Sequence, residues 1–132
     1  MKVGDLIKKS PITIEESSSI RWAAKVMADS KVGLLVVIDP FDKGKVKAVV
    51  SERDIVKAVA KSLNLEDNVL TIATMDVVKV DVNDRVDEAA LLMSKHGIRH
   101  LVVTKEGKLY GVVSMRDLVG EERILKAFTT IF

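Results

Sequence analysis

Two stretches of the chain place a serine, an arginine and an aspartate at the same short spacing: Ser51-Glu52-Arg53-Asp54 and Ser114-Met115-Arg116-Asp117. Each follows an apolar stretch, Val49-Val50 or Val112-Val113, and each runs on into Ile55-Val56 or Leu118-Val119. The pattern reads as a strand delivering its chain into a helix. Serine is a favoured N-cap, and an acidic residue three positions later completes a capping box. The same groups could hold a ligand. A helix start offers unpaired N–H groups and the positive end of the dipole, which suits a phosphate. Ser114 can donate to a phosphate oxygen and Arg116 can pair with it. A carboxylate only accepts hydrogen bonds, so Asp117 suits the two hydroxyls of a ribose. Ser51, Arg53 and Asp54 offer the same set in the first copy. Spacing alone leaves capping and binding both open.

Arg99 and His100 stand just before an apolar run, Leu101 to Val103. They read either as a solvated edge pair or as the rim of the site that holds Arg116. The first copy has Gly33 and Leu34 there, which makes the second half the more polar side and the better phosphate handler. Other chemistries lack support. There is no cysteine, which removes disulfides, thiolate catalysis and cysteine metal sites. His96 and His100 have i,i+4 spacing, but Gly97 lies between them and no third ligand is near in sequence, so no metal site is expected. No Ser-His-Asp or paired-carboxylate arrangement has a supporting context, so an enzyme is not expected and no catalytic residue is assigned.

The elements that must position these residues follow from periodicity. Val3 to Ile7 reads as a single turn and Ile12 to Ile14 as a short extended stretch. A helix is predicted from about Ser18 to Ser30, with Ile20, Ala23, Ala24 and Met27 on one stripe. Leu34 to Ile38 is apolar at every position, the pattern of a strand covered on both faces. Asp39 to Lys45 reads as a turn, Val46 to Val50 as a strand and Asp54 to Lys61 as a helix. Asn64 to Ala73 suggests one short helix, and Val78 to Val80 resembles Ile12 to Ile14. In the second half a helix capped by Asn83 or Asp84 runs to about Lys95. Strands at Leu101–Val103 and Tyr110–Val113 follow, joined by a turn at Lys105–Lys108. Met115 to Val119 and Glu121 to Phe128 complete the chain as helices, with Gly120 between them.

The second half therefore repeats the first. Met27 to Val37 aligns with Met93 to Val103 at an offset of 66, whereas Ser51 and Ser114 are 63 apart. The missing three residues fall at the hairpin, where length changes are tolerated. Two repeats, 1–64 and 65–132, fill the 132 residues. Neither is expected to bury its sheet alone.

Composition fits one compact body with a solvated surface: 48% of residues are hydrophobic and 30% charged. The formal net charge of +2 comes without a basic run, so nucleic-acid binding is not expected. No long apolar run follows Met1 to Asp5 and none elsewhere approaches about 18 residues, so neither a secretory leader nor membrane contact is expected, and the expected location is the cytoplasm.

With its Gly-Val-Val-Ser-Met-Arg-Asp-Leu segment (111–118) following an apolar strand, a turn and a second strand, the chain resembles a pair of cystathionine-beta-synthase (CBS) domains. The resemblance holds in both halves and covers nearly the whole chain. Ala48 stands where the second copy has Gly111, a departure small enough to be tolerated. The resemblance implies an α/β (α+β) fold: two pseudo-symmetric repeats, each a small sheet flanked by helices, packed as one module with two clefts. It implies adenosine-containing ligands, namely AMP, ADP, ATP or S-adenosylmethionine. The ribose-binding aspartates would be Asp54 and Asp117, with Ser51 and Ser114 at the phosphate and Arg53 and Arg116 at its rim. Val32-Gly33-Leu34 and Ile98-Arg99-His100 would border base and phosphate. The Asp117 cleft would add Val3-Gly4-Asp5 with Pro11-Ile12, and the Asp54 cleft Ala73-Thr74-Met75 with Val80. A homodimer is implied, its face supplied by the helix after Asp54 and the final helix. The module would be a stand-alone regulator acting on a protein partner in trans. The alternative is an interaction protein with vestigial clefts and no nucleotide binding.

Overall fold

The computed structural model describes residues 1–120. The predicted helix at Glu121–Phe128 lies outside them. By contact the described residues divide into two compact units, one made of Pro11–Val77 and the other of Met1–Ser10 with residues 78–120. The sequence repeats run in chain order; relative to them, the compact units exchange residues 1–10 for residues 65–77.

The Pro11–Val77 unit holds a three-stranded sheet. β1 (Thr13–Glu15) pairs parallel with β2 (Leu34–Asp39), and β2 pairs antiparallel with β3 (Asp42–Ser51). Helix α1 (Ile20–Ser30) connects β1 to β2, as parallel neighbours require, and α2 (Glu52–Ala60) follows β3. The other unit repeats this with β4 (Lys79–Asp81), α3 (Val86–His96), β5 (His100–Lys105), β6 (Lys108–Ser114) and α4 (Met115–Val119). Both sheets are thus of mixed direction and flanked by helices, as expected. Each unit has its own core. Ile14, Ala23, Met27, Leu35, Val37, Ala48, Val50 and Val69 form one; Val3, Val80, Ala89, Met93, Leu101, Val103, Val113 and Leu118 form the other. Val36 and Val102, on the opposite faces of β2 and β5, are no more than 1% exposed, so both central strands are covered on both sides as their continuous apolar runs require.

The hairpin turns are shorter than the sequence suggests. Pro40-Phe41 and Glu106-Gly107 alone link the strands, and β3 starts at Asp42 instead of Val46. Glu106 and Gly107 both have positive φ (53° and 78°), as a two-residue turn matched to strand twist demands. Asp39 pairs with Asp42 as Lys105 pairs with Lys108, but Ile38 next pairs with Val46 where Thr104 pairs with Leu109. The three extra residues of the first repeat, Lys43–Lys45, therefore sit in a bulge of β3 and not in the turn itself.

Two further expectations are corrected. Asn64–Ala73 is not one helix; only a 3-10 turn at Val69–Thr71 forms, with the Asn68 side chain accepting from the Leu70 N–H (2.8 Å). The flanking backbone is used elsewhere: the Asp67 and Leu65 carbonyls accept from the Ile20 and Arg21 N–H groups (3.0 and 2.8 Å) at the start of α1. Nor do Asn83 or Asp84 cap α3. Its N-cap is Arg85, whose guanidinium has no acceptor to offer the helix; the Met1 carbonyl accepts from the Val86 N–H (3.2 Å) instead. Asp84 instead accepts from the Asp81 N–H (2.9 Å).

That contact is part of how the leading segment joins the second sheet. The Val3 and Gly4 N–H groups donate to the carbonyls of Asp84 (2.8 Å) and Val82 (2.9 Å). A 3-10 turn at Val3–Leu6 then brings Leu6 and Ile7 against the core that Val3 enters with no exposed surface. Two glycines allow the approach. A Cβ on Gly4 would stand 3.1 Å from Val82, and one on Gly111 would stand 2.7 Å from Cγ2 of Ile7.

Candidate functional site

The start of α2 and the start of α4 are built alike. Ser114 ends β6 in an extended conformation and its Oγ accepts from the Asp117 N–H (3.1 Å), while Asp117 Oδ2 accepts from the Ser114 N–H (2.7 Å). At α2 the Asp54 N–H donates to Ser51 Oγ (3.3 Å), and Asp54 Oδ2 accepts from both the N–H (2.8 Å) and the hydroxyl (3.1 Å) of Ser51. Both capping boxes expected from spacing are therefore formed. Each uses one carboxylate oxygen, and the other, Oδ1, has no partner among the described residues. The cap thus fixes the carboxylate in orientation while leaving acceptor capacity unused.

The residues beside each cap are set by the same backbone link. The Gly33 carbonyl accepts from the Glu52 N–H (3.0 Å), and the Arg99 carbonyl from the Met115 N–H (2.8 Å). Across the strands Leu34 pairs with Ser51, and His100 with Ser114. Leu34 is buried and His100 half-buried; Arg53, Arg99, Arg116 and Asp117 are exposed and Asp54 is half-buried. Among the described residues Arg53, Arg99 and Arg116 have no ion-pair partner.

The other expected residues divide by unit. Val3, Gly4 and Asp5 belong with Asp117, as does Val80; Pro11, Ile12, Thr74 and Met75 belong with Asp54. Val3 (0% exposed) and Val80 (3%) are core side chains, and Ile98 and Ile12 pack against the cores of their units. Asp5 accepts from the Lys2 N–H (3.1 Å), closing the leading turn. Thr74 exchanges two backbone bonds with Val49 (3.0 and 2.8 Å), and Met75 is 57% exposed.

One feature has no counterpart in the sequence expectations: a shallow groove of about 390 Å³ bordered by Thr13, Glu15, Ser17, Trp22, Val26 and Lys43. Its signal was Trp22, half exposed at the margin of the apolar stripe of α1. Among the described residues no three His, Asp or Glu side chains are grouped to hold a metal, and no helix is long and apolar enough to cross a membrane.

Comparison with known proteins agrees with this geometry. The family model for the CBS domain matches twice, over residues 3–61 and 69–123. An uncharacterized 17.7 kDa protein of Acidianus ambivalens is 38% identical over 118 residues, covering 89% of this chain and 70% of its own length. Other curated relatives are longer, and this chain spans only 41%, 31% and 23% of three of them. Among solved structures, a CBS domain protein of Pyrobaculum aerophilum complexed with AMP is 39% identical and superposes with a TM-score of 0.91, covering 98% of this chain and 99% of its own. The CBS domain pair of protein MJ0100, in complex with 5'-methylthioadenosine and S-adenosyl-L-methionine, is 28% identical with a TM-score of 0.83, covering 95% and 99% of the two chains.

Proposed function

The chain belongs to the CBS domain family, and from that premise we propose that it is a regulatory sensor that binds adenosine-containing ligands at the starts of α2 and α4. The observation that carries the reading is the duplicated cap with its half-used carboxylate. Asp54 and Asp117 are held by backbone N–H groups through one oxygen, leaving the other to accept from ribose hydroxyls. A carboxylate already oriented loses little freedom on binding, which favours affinity. Ser51 and Ser114 supply hydroxyls beside it, and Arg53, Arg99 and Arg116 supply charge for a phosphate. The AMP, 5'-methylthioadenosine and S-adenosylmethionine in the solved relatives support the same ligand class. ADP and ATP belong to the proposal on chemistry alone.

The reading assigns no catalysis. Binding acts by favouring one of two states, and only through a difference in affinity between them. Val56 and Val59 on α2 are 66% and 59% exposed, which supports the use of that helix face by a second copy or by a target protein.

Calorimetric titration with AMP, ADP, ATP and S-adenosylmethionine tests the reading, using wild type and the Asp54→Asn and Asp117→Asn variants. Asparagine keeps an acceptor for the cap but removes the charge. Binding weakened in one variant identifies the site in use. If folded, nucleotide-free protein binds none of these ligands, the sensor reading fails and an interaction protein with vestigial sites takes its place.

A further inference from the structure

The two sites share a scaffold and differ in charge. The link from residue 33 or 99 to the helix start, the strand pair that ends at Ser51 or Ser114, and the Ser-x-x-Asp cap recur in both. On this common frame Gly33 becomes Arg99, Leu34 becomes His100 and Glu52 becomes Met115, while Arg53 and Arg116 correspond. Over these positions the first site carries a formal charge of −1, from Glu52, Arg53 and Asp54. The second carries +1, from Arg99, Arg116 and Asp117. The difference of two charges lies on side chains, because the backbone around them is the same.

We infer that the two sites select ligands by charge: the α4 site takes a phosphate-bearing adenosine ligand, and the α2 site takes an uncharged or cationic adenosine derivative. This rests on the proposed ligand class. At the α4 site Arg99 and Arg116 are exposed, and neither is spent on an ion pair among the described residues, so both can turn to an anion. At the α2 site Glu52 follows the cap serine directly, and its charge opposes a phosphate there. Leu34, buried where the second site has His100, supplies no donor. A hydrogen bond to a charged group is worth enough to change affinity about tenfold. One arginine more and one glutamate fewer should therefore separate the sites clearly.

Adenosine and AMP differ only by the phosphate, so their affinity ratio reads the inference directly. Titrations of Asp54→Asn protein report the α4 site, and titrations of Asp117→Asn protein report the α2 site. The α4 site is expected to bind AMP at least about tenfold more tightly than adenosine, and added salt should shrink that preference. Adding Arg99→Gln and Arg116→Gln should bring the AMP-to-adenosine affinity ratio down to about one. The α2 site is expected to bind AMP no more tightly than adenosine, and Glu52→Gln should raise its AMP affinity severalfold. Equal ratios at the two sites, or a ratio indifferent to both arginines, would overturn charge selection and leave the adenosine reading standing. Failure of both ligands at both sites, in variants shown to be folded, would overturn that reading as well.

Discussion

Gly111 and Ile7 form a contact whose energetics can be worked through. A methyl group on Gly111 would lie 2.7, 3.2 and 3.3 Å from three carbons of the Ile7 side chain. Carbon atoms prefer separations of roughly 3.5–4.0 Å, so the alanine must displace Ile7 by a substantial part of an ångström. Replacing glycine in a strand recovers about 0.5–1 kcal/mol of backbone entropy. Overpacking a filled site costs about 1–3 kcal/mol. The expected net effect of Gly111→Ala is a loss of about 1–2 kcal/mol. Ile7→Ala alone should also cost about 1–2 kcal/mol, below the range for a fully buried isoleucine because Ile7 is only half-buried. The double variant should cost less than the sum of the two by about 1 kcal/mol or more, since the new methyl enters the space that Ile7 leaves. The first repeat has alanine at both places: Ala48 stands for Gly111 and is fully buried, and Ala73, 66 residues after Ile7, packs against the core that contains Ala48. Urea unfolding of wild type, both single variants and the double variant closes the cycle. If Gly111→Ala is neutral or stabilising while Ile7 is present, or if the two effects simply add, the steric argument is wrong.

Three other outcomes are expected. Asp117→Ala should lower stability by about 1 kcal/mol while Asp117→Asn changes it by a few tenths, because only alanine removes the acceptor from the α4 cap; paired denaturant melts check this. Lys31 ends α1 with φ of 56° where Gly97 ends α3 with φ of 63°, so Lys31→Gly should stabilise and Gly97→Ala destabilise, each by about 1 kcal/mol, as read from thermal midpoints. The Lys47 ammonium is held above lysine's ordinary value near 10.5 by its hydrogen bond and ion pair with Glu16 (2.9 Å). Its contribution is present in full below that ordinary value and disappears as pH rises through the folded-state value. The thermal advantage of wild type over Lys47→Met should therefore narrow in the most alkaline buffers, and a gap that stays constant would exclude the pair as its source.

What could be read from the sequence depended on how local the cause was. The cap at Ser114 and Asp117 spans four residues, and the chain alone specified it. The cover on both faces of β2 and β5 was written in uninterrupted apolar runs. The failures were places where a distant segment supplies what the local pattern lacks. Arg85 has no acceptor with which to cap α3, and the Met1 carbonyl takes the Val86 N–H at that helix start. Asn64–Ala73 has enough apolar residues for a helix, but two of its carbonyls are committed to α1. The three-residue offset between repeats was visible, but its position in the β3 bulge depends on which residues pair across the hairpin. At the candidate site the residue types were legible. The division of Val3 and Val80 from Thr74 and Met75 was not, because it follows from tertiary placement.

The placement of Met1–Ser10 also orders events during synthesis. These ten residues are synthesised before Pro11–Val77, yet the core that buries Val3 is made of Val80, Ala89, Met93 and later residues. The Pro11–Val77 unit, by contrast, has all of its chain available once Val77 emerges. At about 5–20 residues per second, the leading segment waits several seconds for its partners. Through that interval Val3, Leu6 and Ile7 must stay unburied and unentangled. A chain that stalls near Val77 would hold one finished unit and a tail with nothing of its own to pack against, a distinct target for chaperones and proteases.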